Sequence, residues 1–350
     1  MRRVRPTLIA LFAILAMLAA ACGGDQLEGG DEGGDERADG GGSEATAAGS
    51  EAAGDGDGDG AAAGSEPLDG ATIIVGSKDF DEQLVLGNIS KVALAAAGAN
   101  VTDQINLGGT QVARGALTGG DIDHYWEYTG TGWIEHLGNA DPIPDREEQY
   151  QAVKDSDLTE NDIVWLAPAP FNNTYGLAYA SSGADDLGNP ESLSDLAELI
   201  ENEPEKATLC VESEFPSRND GLPGMEETYG YEFPDDQVIT LDTGVIYAAT
   251  ADRDPCNFGE VFTTDGRIAE LDLTVLEDDE QYFPLYNAAP NFTRAVYEQH
   301  GQALDELFTP IAEALTQEAM TELNKRVSSD GERPEAVAQS FLEDNGLLPE

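Results

Sequence analysis

Tyr125, Trp126 and Tyr128 crowd into the run Gly119–Gly132, which reads Gly-Gly-Asp-Ile-Asp-His-Tyr-Trp-Glu-Tyr-Thr-Gly-Thr-Gly, with Thr129 and Thr131 spaced among its last glycines. Aromatic rings present negative π faces that attract a cation, and glycines let backbone N–H groups come close to an anion. Almost no long aliphatic side chain follows Ile122. The run is therefore expected to make a poor core strand and a good ligand wall.

Chemistry of other kinds is not signalled. The three histidines, His124, His136 and His300, show no His-Glu-x-x-His spacing and no Cys or His partner at zinc-site spacing, and no Gly-x-Ser-x-Gly elbow occurs. A phosphate-cradling Gly-x4-Gly-Lys is absent too. His124 reads as a structural or surface histidine. Asp55, Asp57, Asp59, Gly60 and Glu66 match the spacing of a calcium-binding EF-hand loop. Gly-rich sequence precedes that loop and Pro67-Leu68-Asp69-Gly70 follows it, where amphipathic helices would be needed, so the match is read as a coincidence of low complexity. Neither a metal nor a cofactor is expected.

The elements that must position the aromatic run alternate. Thr72–Val75 reads as a buried strand, Glu82–Ala97 as a helix, Val101–Asn106 as a strand and Gln111–Leu117 as a helix closed at Gly119-Gly120. That alternation implies parallel pairing in an α/β layer, in which ligands sit beyond the carboxyl ends of the strands. Gly76-Ser77-Lys78 and Tyr125–Thr131 both fall at such ends. Glu147–Val153 is expected to be helical and Ile163–Leu166 a strand. The Pro-rich loop at 168–175 then reads as a crossover to a second lobe. There, strands are expected at 177–180, 207–212, 238–241 and 258–262, with helices at 193–201, 225–229 and 245–251. Thr263-Thr264-Asp265-Gly266-Arg267 could carry the chain back, followed by a strand at 273–276 and helices at 292–299, 303–315, 318–328 and 334–345.

Length and charge bound the function. The 350 residues suffice for two domains with full cores. With 17 basic against 69 acidic residues, the net charge of −52 argues against nucleic acid and against unassisted binding to anionic membranes, both of which need clustered Lys and Arg. Only five of the cations are Lys and the acid excess runs through the folded part, which suggests adaptation to saline surroundings. At the N-terminus, Arg2, Arg3 and Arg5 precede the apolar run Leu8–Ala21, and Leu18-Ala19-Ala20-Ala21-Cys22 resembles a bacterial lipoprotein cleavage box. Residues 1–21 are thus expected to be a signal peptide and Cys22 a lipidated first residue. Residues 22–66, nearly all Gly, Ala, Ser, Asp and Glu, form a flexible acidic tether. Cys210 and Cys256 would meet an oxidising compartment, as a disulfide or as two buried thiols; spacing alone does not decide between them.

An ordered set of motifs carries a resemblance. Ile74-Val75-Gly76-Ser77-Lys78-Asp79-Phe80-Asp81-Glu82-Gln83, Asn106–Thr110, Gly120–Asp123 with Glu127–Thr131, Asn172-Asn173-Thr174-Tyr175, Ser213–Phe215 through Asp220–Leu222, and Thr264–Ile268 together resemble the osmoprotectant-binding proteins of ABC transporters, the glycine betaine/choline/carnitine type. The resemblance covers residues 71–348. It implies an α/β, two-lobe clamshell of the type II periplasmic-binding-protein fold, with parallel-rich sheets flanked by helices. Lobe 1 would span 71–172 and 263–350, and lobe 2 would span 173–262. It implies an aromatic box for a quaternary ammonium at Tyr128, Tyr175, Tyr247 and Phe262, where Phe262 departs from the Tyr often found. The backbone at Asn173 would lie near the ammonium methyls, and Lys78, Thr131 and Arg218 would hold a carboxylate.

These types suit the task without the resemblance. A trimethylammonium has no N–H, so cation–π and methyl contacts must recognise it, at about 0.5–2 kcal/mol per ring. A carboxylate needs charge-assisted donors, and Lys78 and Arg218 are two cations in a chain that otherwise avoids them. Their presence favours glycine betaine over choline. Trp126, Trp133 and Tyr125 are left to packing. The expected protein is a monomeric, lipid-anchored, extracytoplasmic receptor that closes over a betaine and delivers it to ABC permease subunits. The alternatives are an exported enzyme acting on a small zwitterion and a non-transport ligand sensor with the same clamshell.

Overall fold

A computed structural model of the chain describes residues 67–348; Cys22, the tether and the EF-hand-like run lie outside them. The described part opens with β1 (Thr72–Gly76), α1 (Asp81–Ala96), β2 (Asn100–Gln104) and α2 (Thr110–Gly119). Asp81 and Glu82 in the first turn of α1 complement the positive end of its dipole. Gly120, at φ 78°, ends α2 in the left-handed region. Next come β3 (His124–Tyr128), the single turn α3 (Thr129–Thr131), a π-helical turn at Gly132–His136, α4 (Arg146–Asn161) and β4 (Ile163–Trp165). The Asp145 carboxylate caps α4 by accepting the Glu148 N–H at 2.9 Å.

After the Pro-rich crossover come β5 (Tyr175–Ala180), α5 (Leu196–Asn202), β6 (Leu209–Val211), α6 (Leu222–Tyr229), β7 (Val238–Thr240), α7 (Thr243–Asp252), β8 (Phe258–Phe262), α8 (Arg267–Glu270) and β9 (Leu273–Val275). The chain then returns through β10 (Ala288–Thr293), α9 (Arg294–Ala314), α10 (Gln317–Ser328) and α11 (Pro334–Asp344). Two five-stranded sheets result, ordered β2-β1-β3-β10-β4 and β7-β6-β8-β5-β9. Both follow one plan. Three parallel strands lie side by side, and the fourth strand, β10 or β5, is antiparallel to its neighbours. That antiparallel strand is the first one after each crossing. It begins where its parallel neighbour ends, Ala288 opposite Tyr128 and Tyr175 opposite Phe262, so it must run the other way.

The expected parallel pairing holds for β1, β2 and β3, and each parallel-rich sheet adds an antiparallel strand for the reason just given. Three expectations change. The return does not occur at residue 263: β9 pairs with β5 in the second sheet, so the crossing falls between Val275 and Ala288. The helices expected at 292–299 and 303–315 are one helix, α9, and Ala288–Thr293 before it is a strand flanked on both sides. The run expected to make a poor core strand is instead a central one, all five residues of β3 being buried. Burial of so polar a strand is tolerable because each polar group has a partner. His124 sits between Ser90 Oγ at 2.7 Å and the Asn291 carbonyl at 2.9 Å, stacked on Phe292, and the Trp126 indole N–H donates to Ser90 at 2.8 Å. Burial lowers the His124 pKa to about 3, so this histidine is neutral and structural.

Cys210 in β6 and Cys256 ahead of β8 have Cα atoms 5.6 Å apart and are joined by a disulfide. Among the described residues no helix is long and apolar enough to cross a membrane.

Candidate functional site

Where the parallel strands of both sheets end, a cavity of about 690 Å³ opens between the lobes. Lys78, Tyr128, Thr131, Asn173, Tyr175, Arg218 and Phe262 all line it. Tyr247 does not. It is fully buried behind β8, with its hydroxyl accepting the Phe262 N–H at 3.0 Å and the Arg267 guanidinium 4.3 Å above its ring. Its place as a box wall therefore falls away, and it becomes the support that fixes the backbone of Phe262.

Two rings not expected from the sequence complete the apolar wall. Phe80, just before α1, stacks on Phe262 at 5.1 Å and on Tyr128 at 6.2 Å between centroids. Tyr286, in the returning segment, meets Tyr175 edge-on at 5.5 Å, and Tyr175 lies 5.3 Å from Phe262. Five cavity-lining rings thus form a connected set drawn from both lobes. Phe80 follows Lys78 by two positions in a strand-end loop, a local signal that could have marked it; Tyr286 carries none.

Beside these rings two cations converge, Lys78 Nζ 5.2 Å from the Tyr128 centroid and the Arg218 guanidinium 5.5 Å from that of Tyr175. Lys78 Nζ lies 3.3 Å and Arg218 Nη1 3.2 Å from Thr110 Oγ1, while Arg218 Nη2 lies 3.4 Å from Thr131 Oγ1. Both cations are held in place by buried acids. Lys78 pairs with Glu127 Oε1 at 2.7 Å, and Arg218 grips Asp220 through Nε and Nη2, each at 2.7 Å. Burial alone would raise the Glu127 carboxyl, but Lys78 and His136 outweigh it and hold the group below the usual carboxylate range. The Tyr125 hydroxyl donates to the same carboxylate at 2.8 Å, so Tyr125 braces Lys78 from behind. Thr110 joins this end as a residue the sequence did not single out.

A third group sits on the ring side. The Glu82 carboxylate, fully enclosed at the start of α1, accepts from the Tyr128 hydroxyl (2.7 Å), Asn173 Nδ2 (2.9 Å), Thr264 Oγ1 (2.6 Å) and Asn324 Nδ2 (2.8 Å). Burial raises its carboxyl above the ordinary range against those four hydrogen bonds.

Direct contacts join the lobes across the cleft. Glu214, from the loop after β6, accepts the Thr110 N–H at 2.8 Å and so caps α2 from the opposite lobe. Glu135 returns the contact by accepting the Asn219 N–H at 2.9 Å. A Cβ at Gly109 would come within 2.1 Å of Glu214 Oε1, so any side chain there would push that carboxylate out of its capping position. Removing a cap costs about 0.5–2 kcal/mol, all of it from the lobes-together state. Glu214→Ala is therefore expected to weaken every ligand, choline included, by up to about 30-fold, and to enlarge the unliganded protein's radius of gyration in small-angle scattering. A loss confined to one ligand would show that Glu214 touches ligand instead.

Two α/β lobes that meet over a ring-lined cavity holding two buried cations form the kind of cleft in which a solute-binding protein takes up a small charged ligand. The chain belongs to the family described as the substrate-binding domain of ABC-type glycine betaine transport systems (OpuAC), whose model matches residues 71–344. It is similar to a glycine-betaine-binding protein of Pseudomonas aeruginosa, 39% identical over 282 residues, covering 79% of this chain and 89% of that protein. The glycine betaine-binding protein YehZ of Escherichia coli is 34% identical over 293 residues, covering 81% and 94% respectively. Among solved structures, a glycine betaine/carnitine/choline ABC transporter protein superposes with a TM-score of 0.63 at 25% identity, over 79% of this chain and 99% of that one. The chain is thus a substrate-binding protein of an ABC osmoprotectant transporter, with the type II two-lobed fold the resemblance implied.

Proposed function

We propose that the protein binds a quaternary ammonium osmolyte, glycine betaine foremost, and hands it to the transmembrane subunits of an ABC importer. The trimethylammonium lies among Tyr128, Tyr175, Phe262, Phe80 and Tyr286, with the Asn173 backbone near its methyls. The carboxylate lies at Lys78, Arg218, Thr110 and Thr131. The observation that carries this reading is the convergence of Lys78 and Arg218 on Thr110 Oγ1 in a cleft whose wall also carries five aromatic rings. A zwitterion with its charges a few ångströms apart matches that polarity. Each desolvated ring contributes about 0.5–2 kcal/mol to holding the cation, and charge-assisted hydrogen bonds to the carboxylate about 1.5–3 kcal/mol.

The N-terminal pattern supports export and lipid attachment at Cys22 of a monomeric receptor. Calorimetric titration with glycine betaine, choline, carnitine and proline betaine tests the ligand class. Glycine betaine is expected to bind at micromolar concentration or tighter and ahead of choline. Millimolar or absent binding to all four would remove the proposal.

A further inference from the structure

Glu82 is an acid of the cleft wall, almost wholly buried, whose role the betaine reading leaves open. Its four partners, Tyr128, Asn173, Thr264 and Asn324, are all neutral, and they come from β3, the crossover, the loop after β8 and α10. The cations nearest the cleft are engaged with other acids: Lys78 with Glu127, Arg218 with Asp220 and Arg267 with Asp265. The Tyr128 hydroxyl and the Asn173 and Asn324 amides turn three donors on Glu82, yet none of its partners carries the positive charge that an ionised carboxylate at this depth needs. A buried charge without a counter-ion is costly, and four elements converging to hold one argue that something else supplies the opposite charge.

We propose that Glu82 is the counter-charge of the bound ammonium: a specificity-determining residue that makes the ring-lined end of the cleft select a cation over an uncharged group of the same shape. It rests on the quaternary-ammonium reading above and adds to the rings a fixed charge behind them. The hydrogen bond from Tyr128 to Glu82 also pushes electron density onto that ring, deepening its attraction for a cation. The cleft then offers charges of both signs, Glu82 to the ammonium and Lys78 with Arg218 to the carboxylate.

The test compares choline with the neutral alcohol in which carbon replaces its nitrogen, two ligands of equal shape that differ by one charge. Both are titrated calorimetrically into the unmodified protein, Glu82→Gln and Asn324→Lys. The first variant removes the charge. The second leaves Glu82 in place but gives it a protein cation, and the longer side chain has room because Asn324 lines the cavity. The preference for choline over the alcohol is expected to fall about tenfold or more in each folded variant, as loss of one charge at several ångströms implies in an effective dielectric near 20. If Glu82→Gln fails to fold, Asn324→Lys carries the comparison alone. A folded variant that keeps the unmodified preference, or that loses both ligands equally, would overturn the assignment and leave Glu82 a structural tie. Absence of choline and betaine binding by the unmodified protein would instead remove the quaternary-ammonium reading beneath it.

Discussion

Arg218→Ala by itself is expected to destabilise the protein by about 3–5 kcal/mol, before any ligand is added, because it strands a buried carboxylate. Asp220 receives two hydrogen bonds from that guanidinium and one from the Tyr286 hydroxyl at 2.8 Å. The variant that reads ligand recognition is therefore the pair Arg218→Met with Asp220→Asn, which removes both charges and keeps an acceptor for Tyr286. In that background glycine betaine is expected to bind roughly 10- to 100-fold more weakly, the worth of one or two charge-assisted hydrogen bonds. Choline, with no carboxylate, is expected to change by less than about threefold. Calorimetry on both ligands, with thermal denaturation to confirm folding, checks it. Equal losses for the two ligands would refute the carboxylate role of Arg218 and assign it to holding Tyr175, whose ring centroid lies 5.5 Å from the guanidinium.

What could be read in advance follows the range of the interactions involved. Lys78, Tyr128 and Phe262 sit at or just past strand ends, and strand ends are visible in local pattern; all three line the cleft. Tyr247 sits within α7, where the direction of a ring depends on packing from β8 and from Arg267, neither of which is local. Polarity misled in β3, because the partners that make its burial tolerable, Ser90, Asn291, Lys78 and His136, are scattered through the chain. The late return has the same origin. Whether Leu273–Val275 joins the first or second sheet depends on a free edge of β5, about a hundred residues earlier in the chain, and not on the composition of the loop at 263–267. Glu82 lay inside the motif that carried the resemblance, yet nothing in it announced that four neutral donors would gather there.

The largest loss across all ligands is expected at Tyr175, where recognition and core packing share one ring. Tyr175 starts β5 at the crossover and packs against Phe215, Phe262, Phe283 and Tyr286, with centroids between 5.1 and 6.0 Å away. Truncation therefore removes a cage wall and opens a void beneath its neighbours, which relax into the ligand space. Tyr175→Ala is expected to weaken glycine betaine, choline and carnitine together by roughly 100-fold and to lower stability by about 3–5 kcal/mol. Tyr175→Leu separates the two causes: it refills most of the void, restoring the greater part of the stability, but has no π face, so all three ligands stay about tenfold or more below the unmodified protein. Tyr175→Phe keeps the ring and is expected to bind nearly as tightly as the unmodified protein. The order Phe, Leu, Ala in affinity, measured by calorimetry beside thermal unfolding, is what a cation held by rings demands. Full affinity in a folded Tyr175→Leu would mean that methyl contacts alone hold the ligand, and that the rings of this cleft serve only to pack it.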